Sequence, residues 1–321
     1  MLRVLKVLRV LRVRTAVPLS TLSTLSTLAC HSQPALPAVP PTDPTTIEWT
    51  AYGRDPGGSR YAPIDDISRE NVARLRVAWT YRTRETDSAF ATRRETSLEA
   101  TPLFVDGTLY FATPLGRVIA LDPVTGTERW VFDPGVDRGT NFGDFTNRGV
   151  STWLDPAAPP NAPCRRRIFV AVIDARLIAL DSRTGRPCGT FGTNGVVNLR
   201  IGLRNPPNEA AEYEVTSPPA VIGGLLVVGS AVADNSRADA ASGEVRAFDL
   251  RTGALHWTWD PVPQSAVDPA YGTWVGDRAH TTGAANAWSV IAADPARGLV
   301  FVPTGSASPD YFGGERRGDN R

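Results

Sequence analysis

The side chains best suited to nucleophilic or soft-metal chemistry are few, and their spacing does not serve it. Cys30, Cys164 and Cys188 are the three cysteines, and neither C-x-x-C nor C-x-x-C-H occurs, which argues against a zinc ribbon or an attached c-type haem. His31, His256 and His280 are equally scattered, so a histidine-built metal centre is not expected. Oxygen ligands remain plentiful, with 33 acidic residues in the chain. The metal chemistry left open is that of a hard cation held by oxygen.

The elements that must position such groups come from a chain of 321 residues, 42% hydrophobic and 21% charged, with 28 Gly and 27 Pro. That composition can bury one or two ordinary cores and fits neither a disordered tail nor a membrane bundle. No run of eighteen apolar residues occurs. The formal charge is +1, and five basic residues (Arg3, Lys6, Arg9, Arg12, Arg14) precede Cys30 with no acid among them. Without that segment 29 basic residues face 33 acidic ones, a net of −4. A one-signed basic field is missing, and no nucleic-acid partner is expected.

Residues 1–30 read as an export signal: the basic stretch MLRVLKVLRVLRVR leads into the moderately apolar AVPLSTLSTLSTLAC. Thr27-Leu28-Ala29-Cys30 resembles a lipoprotein cleavage box, with Cys30 as the residue that would carry a lipid anchor, although Thr27 stands where an aliphatic residue is usual. The plainer alternative is low-complexity LRV and STL triplets, or a start codon upstream of the true one. A periplasmic location, membrane-anchored if Cys30 is lipidated, follows from the export reading. Residues 31–48 form a linker rich in proline (Pro34, Pro37, Pro40, Pro41, Pro44).

From Trp49 onward, short β-rich runs alternate with Gly, Pro and Asp turns, the pattern of an all-β fold. Within it one unit recurs: GRVIALDPVTGTERW (116–130), ARLIALDSRTGRPC (175–188) and GEVRAFDLRTGALHW (243–257). Each copy predicts a strand, an Asp-x-x-Thr-Gly turn and a second strand, with the glycines at 126, 185 and 253 taking positive φ and Trp130 and Trp257 filling the space between sheets. The glycines lie 59 and 68 residues apart, room for a four-stranded propeller blade with long loops. Residues 49–321 therefore hold a partial β-propeller, four or five blades at roughly 60 residues each, about half of an eight-bladed ring.

With these motifs the chain resembles the quinoprotein dehydrogenases that use pyrroloquinoline quinone (PQQ), nearest the glucose, quinate and polyol branch. The resemblance starts at WTAYGRDPGGSRYAPIDDISRENVARLRVAW (49–79), continues through the three turns, and ends with TGAANAWS (282–289) and PTGSASPDYFGGER (303–316). It implies a planar tricarboxylated quinone in the central funnel with a divalent cation, Ca²⁺ or Mg²⁺, beside its reactive carbonyl. By that resemblance Glu99, Arg148, Thr216, Asn286 and Trp288 bind the cofactor: Glu99 at the rim, Arg148 as electrostatic stabiliser near the quinone oxygens, Thr216 as donor to a carboxylate, and Trp288 as the stacking floor. Asp234 and Asn235 are implied as cation ligands, and Cys164 and Cys188 as a disulfide. Each has a plainer alternative: strand ends for Glu99 and Thr216, a surface ion pair for Arg148, an inter-blade wedge for Trp288, a turn for Asp234-Asn235, and two reduced thiols for the cysteines.

Three departures bear on substrate. Asn141-Phe142-Gly143-Asp144 replaces the adjacent cysteines of the alcohol branch, Asp144 stands where the sugar branch often has histidine, and Ser306 stands where the alcohol branch has an asparagine ligand. The family's general-base aspartate, in a His-Asp-x-Trp-Asp context, has no counterpart before Arg321, so the chain is expected to be an N-terminal fragment, inactive by itself. The implied activity is oxidation of a sugar, polyol or alcohol by hydride transfer to the quinone, with electrons passed to a separate quinone or cytochrome acceptor. The alternative is a non-catalytic PQQ-repeat propeller scaffold for protein contacts.

Overall fold

The computed structural model describes the backbone of residues 9–12, and residues 47–314, 316, 318 and 319. Cys30 and positions 31–46 of the linker lie outside the described residues. The described chain contains three complete four-stranded antiparallel sheets and the start of a fourth; the strands of each sheet follow one another in the chain except in the third, where Ala231–Val232 intervenes and pairs with Tyr213–Glu214. The first sheet comprises Leu103–Val105, Thr108–Ala112, Val118–Leu121 and Glu128–Phe132. The second comprises Ser151–Leu154, Arg166–Ala171, Arg176–Asp181 and Val196–Asn198. The third comprises Ala220–Ile222, Leu225–Val228, Val245–Asp249 and Leu255–Trp259. Ala292–Asp294 and Leu299–Val302 begin the fourth, and the latter pairs antiparallel with Arg9–Arg12, so part of the basic N-terminal stretch runs as a strand here. This is about half of a β-propeller ring. Fewer blades than four or five are complete because residues 47–95 run as an extended segment with short 3-10 turns rather than as a sheet of their own.

The cores lie between blades, not within them. One apolar cluster joins the first and second sheets through Tyr110, Val118, Ile168 and Val170, a second joins the second and third through Phe169, Leu177, Leu226 and Phe248, and a third joins the third to the fourth through Val227, Val245, Val300 and Val302. Alternate residues of each strand point to opposite faces, and both faces are apolar, so every blade needs a neighbour on each side.

The recurrent turn fixes how closely neighbours stack. Asp122, Asp181 and Asp249 each accept from the backbone N–H groups two and three residues on and from the Thr hydroxyl, which closes the Asp-x-x-Thr-Gly loop. The glycine that ends it has φ of +71°, +68° and +69° at positions 126, 185 and 253. Trp130 lies flat on Gly185 and donates its Nε1–H to the Ser182 carbonyl at 2.9 Å, as expected of an inter-blade wedge. Trp79 does the same on Gly126, donating to Pro123 O at 3.1 Å. The second repeat ends in Cys188 rather than Trp, and there Phe191 and Gly192 approach Gly253 while the Arg167 guanidinium donates to Leu250 O at 3.0 Å in the indole's stead. Trp257 is packed against the third cluster, but its buried Nε1 has no partner. Cys164 and Cys188 form the implied disulfide, closing a loop of 24 residues, a constraint worth about 3 kcal/mol.

A test of the docking contact follows. A β-carbon at Gly185 would lie 2.5 Å from the Trp130 ring, whereas at Gly107, also at positive φ, it would meet nothing. Both alanine variants bear the backbone penalty, so Gly185→Ala is expected to lower unfolding free energy by about 2 kcal/mol and Gly107→Ala by about 1. Urea melts of the two variants check this, and equal losses would remove the indole contact from the account.

Candidate functional site

Four of the sequence-selected residues occupy the same structural position in four successive blades. Glu99, Arg148, Thr216 and Trp288 each lie three or four residues before the first strand of a blade, ahead of Leu103, Ser151, Ala220 and Ala292. Radial repetition of the blades therefore brings stretches far apart in sequence to one place.

The contacts confirm the convergence. Arg148 donates from Nη2 to the Glu99 carboxylate at 2.9 Å and from Nη1 to Thr216 Oγ1 at 2.9 Å. Its guanidinium carbon lies 5.1 Å from the centroid of the Trp288 ring. Thr216 and Ser217 donate their hydroxyls to the Trp288 carbonyl at 3.2 and 2.7 Å. The backbone repeats the pattern: Arg148 N–H donates to Thr216 O at 2.9 Å, and Thr101 N–H to Arg148 O at 3.2 Å. A parallel pair, Thr96–Leu98 with Phe145–Asn147, holds the Glu99 and Arg148 stretches side by side. Trp288 is 44% exposed, unusual for an indole that a wedge role would bury.

The loop that presents Trp288 is strained. Ala284 and Ala285 both have left-handed φ, +53° and +58°, and are fully buried. Such a conformation costs roughly 1–2 kcal/mol per residue in an L-amino acid. Hydrogen bonds from Ala284 N to Ala241 O at 2.8 Å and from Ala285 N to Ser306 O at 3.0 Å hold it. Asn286 is buried and donates Nδ2 to Ser230 O at 2.8 Å, so it props the loop from behind and touches the site through Trp288. Strain held in this way is a recurrent mark of binding sites.

Asp234 and Asn235 follow Ala231–Val232 and stand with the 308–311 segment. Asn235 donates to Asp234 Oδ1 at 2.9 Å and accepts from Tyr311 N–H at 3.1 Å, so both ends of its amide are engaged within the protein. Asp310 joins them through its N–H to Asp234 O at 2.9 Å. Burial first and the Asp310 charge second push the Asp234 carboxyl up to about 6. Among the described residues no group of three or more His, Cys, Asp or Glu converges as a metal cage.

Residues that sequence reasoning passed over also line or support the site. Ser217 and Ser230 lie with Thr216 and Trp288 around a small cavity, and the buried Ser230 Oγ has no partner. The paired hydroxyls of Val-Thr-Ser-Pro-Pro signal the first, but nothing in sequence distinguishes Ser230 from an ordinary strand end. Glu214, buried at 4% exposure, gives no sequence signal at all.

Successive blades thus gather a guanidinium, hydroxyls, a carboxylate and a half-bare indole ahead of their first strands. The family profile of the glucose/ethanol/alcohol dehydrogenase β-propeller domain matches residues 49–321. This chain thus belongs to the PQQ quinoprotein dehydrogenases. It is 37% identical over 282 residues to the quinate/shikimate dehydrogenase (quinone) of Acinetobacter baylyi, and 37% over 273 residues to the quinoprotein glucose dehydrogenase of Escherichia coli. Each alignment covers 84% of this chain but only 34% and 33% of the relative, so the chain spans about a third of the curated relatives it matches. The quinohemoprotein alcohol dehydrogenase of Comamonas testosteroni superposes with a TM-score of 0.65 at 29% identity, over 82% of this chain and 36% of that one.

The acidic pair yields a signed prediction. Because the Asp234 carboxyl in the folded chain titrates above its unfolded value of 3.8, the stability it confers is present at low pH and lost as pH rises through about 6. Asp310→Asn removes the like charge, so its melting temperature relative to the native chain should be higher at pH 8 than at pH 5. An identical difference at both values would show that the two carboxylates do not interact.

Proposed function

We propose that this chain is the cofactor-holding portion of an exported, PQQ-dependent dehydrogenase that oxidises a sugar, polyol or alcohol and passes electrons to a separate quinone or cytochrome acceptor. The observation that carries the reading is the Arg148 guanidinium, tied to Glu99 and Thr216 and facing an exposed indole. A scaffold would gain nothing from an arginine and a half-bare tryptophan at this position, whereas a flat polyanion needs both.

The residues fit the cofactor by their chemistry. Trp288 offers an aromatic plane, Arg148 a fixed positive charge, the orphaned Ser230 Oγ a polar group in want of a partner, and Thr216 and Ser217 hydroxyls that would serve a carboxylate on turning from the Trp288 carbonyl. PQQ, when bound, supplies the two-electron acceptor for the substrate's hydride. Arg148, held at two points, keeps its charge aimed where negative charge develops and needs no rearrangement during reaction. Glu99 fixes the guanidinium and leaves a carboxylate edge, 39% exposed, at the rim. Asp234 and Asn235 would supply oxygens to a divalent cation, Ca²⁺ or Mg²⁺, once Asn235 exchanges its contact with Tyr311 for the ion. No residue of this chain is assigned as the general base, and the substrate is set by parts of the funnel beyond these blades together with Asp144. Matches to relatives named for quinate, glucose and glycerol oxidation support a polyhydroxylated substrate.

Titrating the purified chain with PQQ, with and without Ca²⁺, and following tryptophan fluorescence tests the reading. Saturable quenching is expected, weakened about tenfold or more by Arg148→Ala, the loss that goes with one charge-assisted contact. Trp288→Phe should keep binding while removing most of the quenching. Quenching that is non-saturable, or indifferent to Arg148, would reduce the site to an inherited shape.

A further inference from the structure

We propose that Glu214 is a positioning residue: its ionised carboxylate fastens the peptide units of Gly143 and Asp144, and so fixes the segment that presents Asp144 and Arg148 to the mouth of the site. Its catalytic meaning rests on the cofactor reading above, but the fastening itself is a property of the chain.

Glu214 ends the short strand Tyr213–Glu214, which pairs with Ala231–Val232. One carboxylate oxygen accepts the Gly143 N–H at 2.5 Å and the other the Asp144 N–H at 3.5 Å. Two residues further on, Thr216 takes both the backbone N–H and the guanidinium of Arg148 at 2.9 Å. The stretch 143–148 is therefore tied to 214–216 at both ends, and between the ties Phe145–Asn147 pairs with Thr96–Leu98, next to Glu99. Freeing the Glu214 end removes the upstream tie of the segment and leaves Arg148 held by Glu99, Thr216 and the Phe145–Asn147 pairing alone. Asp144 then loses the acceptor of its own N–H.

Three charged groups face this carboxylate from the elements around it. Asp144 lies on the fastened loop itself and Arg94 on the neighbouring segment, where it also donates to Gly143 O at 3.1 Å. Arg200 donates to Tyr213 O at 3.2 Å. Burial pushes the Glu214 carboxyl up to about 7; the Asp144 charge adds to this, and the two N–H donors and Arg94 oppose it. The fastening is thus reversible near neutral pH: a protonated carboxyl turns one acceptor into a donor and weakens the other, so two N–H groups compete for one oxygen.

Amide hydrogen exchange on the chain without cofactor tests this, with protection factors used to remove the intrinsic pH dependence. Protection of Gly143 and Asp144 should fall about tenfold, the scale of one hydrogen bond to a charged group, as pH drops from about 8.5 to about 5.5 with a midpoint near 7. Glu214→Gln, which presents a donor at all pH values, should show low protection throughout. Asp144→Asn, which removes the like charge, should move the midpoint to lower pH. A wild-type profile flat in pH, or a Glu214→Gln variant that keeps the wild-type profile, overturns the proposal. Should Glu214→Gln fail to fold, the wild-type midpoint and its displacement in Asp144→Asn still decide it. Absence of PQQ binding leaves these exchange results standing, and binding with pH-invariant protection overturns only the role of Glu214.

Discussion

A small sheet with apolar side chains on both faces cannot be left open to water, and that constraint organises this protein. Each blade buries one face against the blade before it and the other against the blade after it, so the cores are shared between neighbours. What converts shared burial into a fixed fan is the Asp-x-x-Thr-Gly turn. Its glycine has no β-carbon to hold the next indole away, and its carbonyls accept the indole N–H. Where the tryptophan is missing, after Cys188, an arginine from within the blade makes the equivalent bond. Spacing between blades is thus a repeated quantity, and the site inherits it.

The site is a consequence of that repetition with one substitution per blade. A carboxylate, a guanidinium, a hydroxyl and an indole occupy equivalent places ahead of four inner strands, and each partner satisfies the next. Removing any one leaves a polar group without its counterpart at a half-buried rim, where an unpaired charge is costly. The two left-handed alanines beneath Trp288 and the buried carboxyl of Glu214 show where folding energy is given up. The alanines precede Trp288 and Glu214 ties the segment that leads to Arg148, so rigidity at both places comes at the expense of local stability.

Much of this was legible in the residues. The repeat, the Trp130 wedge and the disulfide between Cys164 and Cys188 appear where the motif and the resemblance put them. Trp79 carries no wedge signal in sequence, because it lies outside the three repeats and reaches Gly126 across 47 positions. Asn286, expected at the cofactor, has its amide N–H taken by the Ser230 carbonyl, a residue 56 positions away. Asn235, expected as a ligand, has its amide oxygen engaged by Tyr311, a residue 76 positions away.

Sequence alone determined the class of fold and the kinds of group available. Periodic strands, turn chemistry and glycines at positive φ are local requirements, and local requirements are written in neighbouring residues. Tertiary structure alone decided which groups meet. Whether Arg148 finds Glu99 or solvent, and whether the Glu214 carboxyl keeps its ordinary value or is pushed up to about 7, depends on burial and on charges contributed by other segments. Those energies fall off over a few ångströms in space and take no account of distance along the chain.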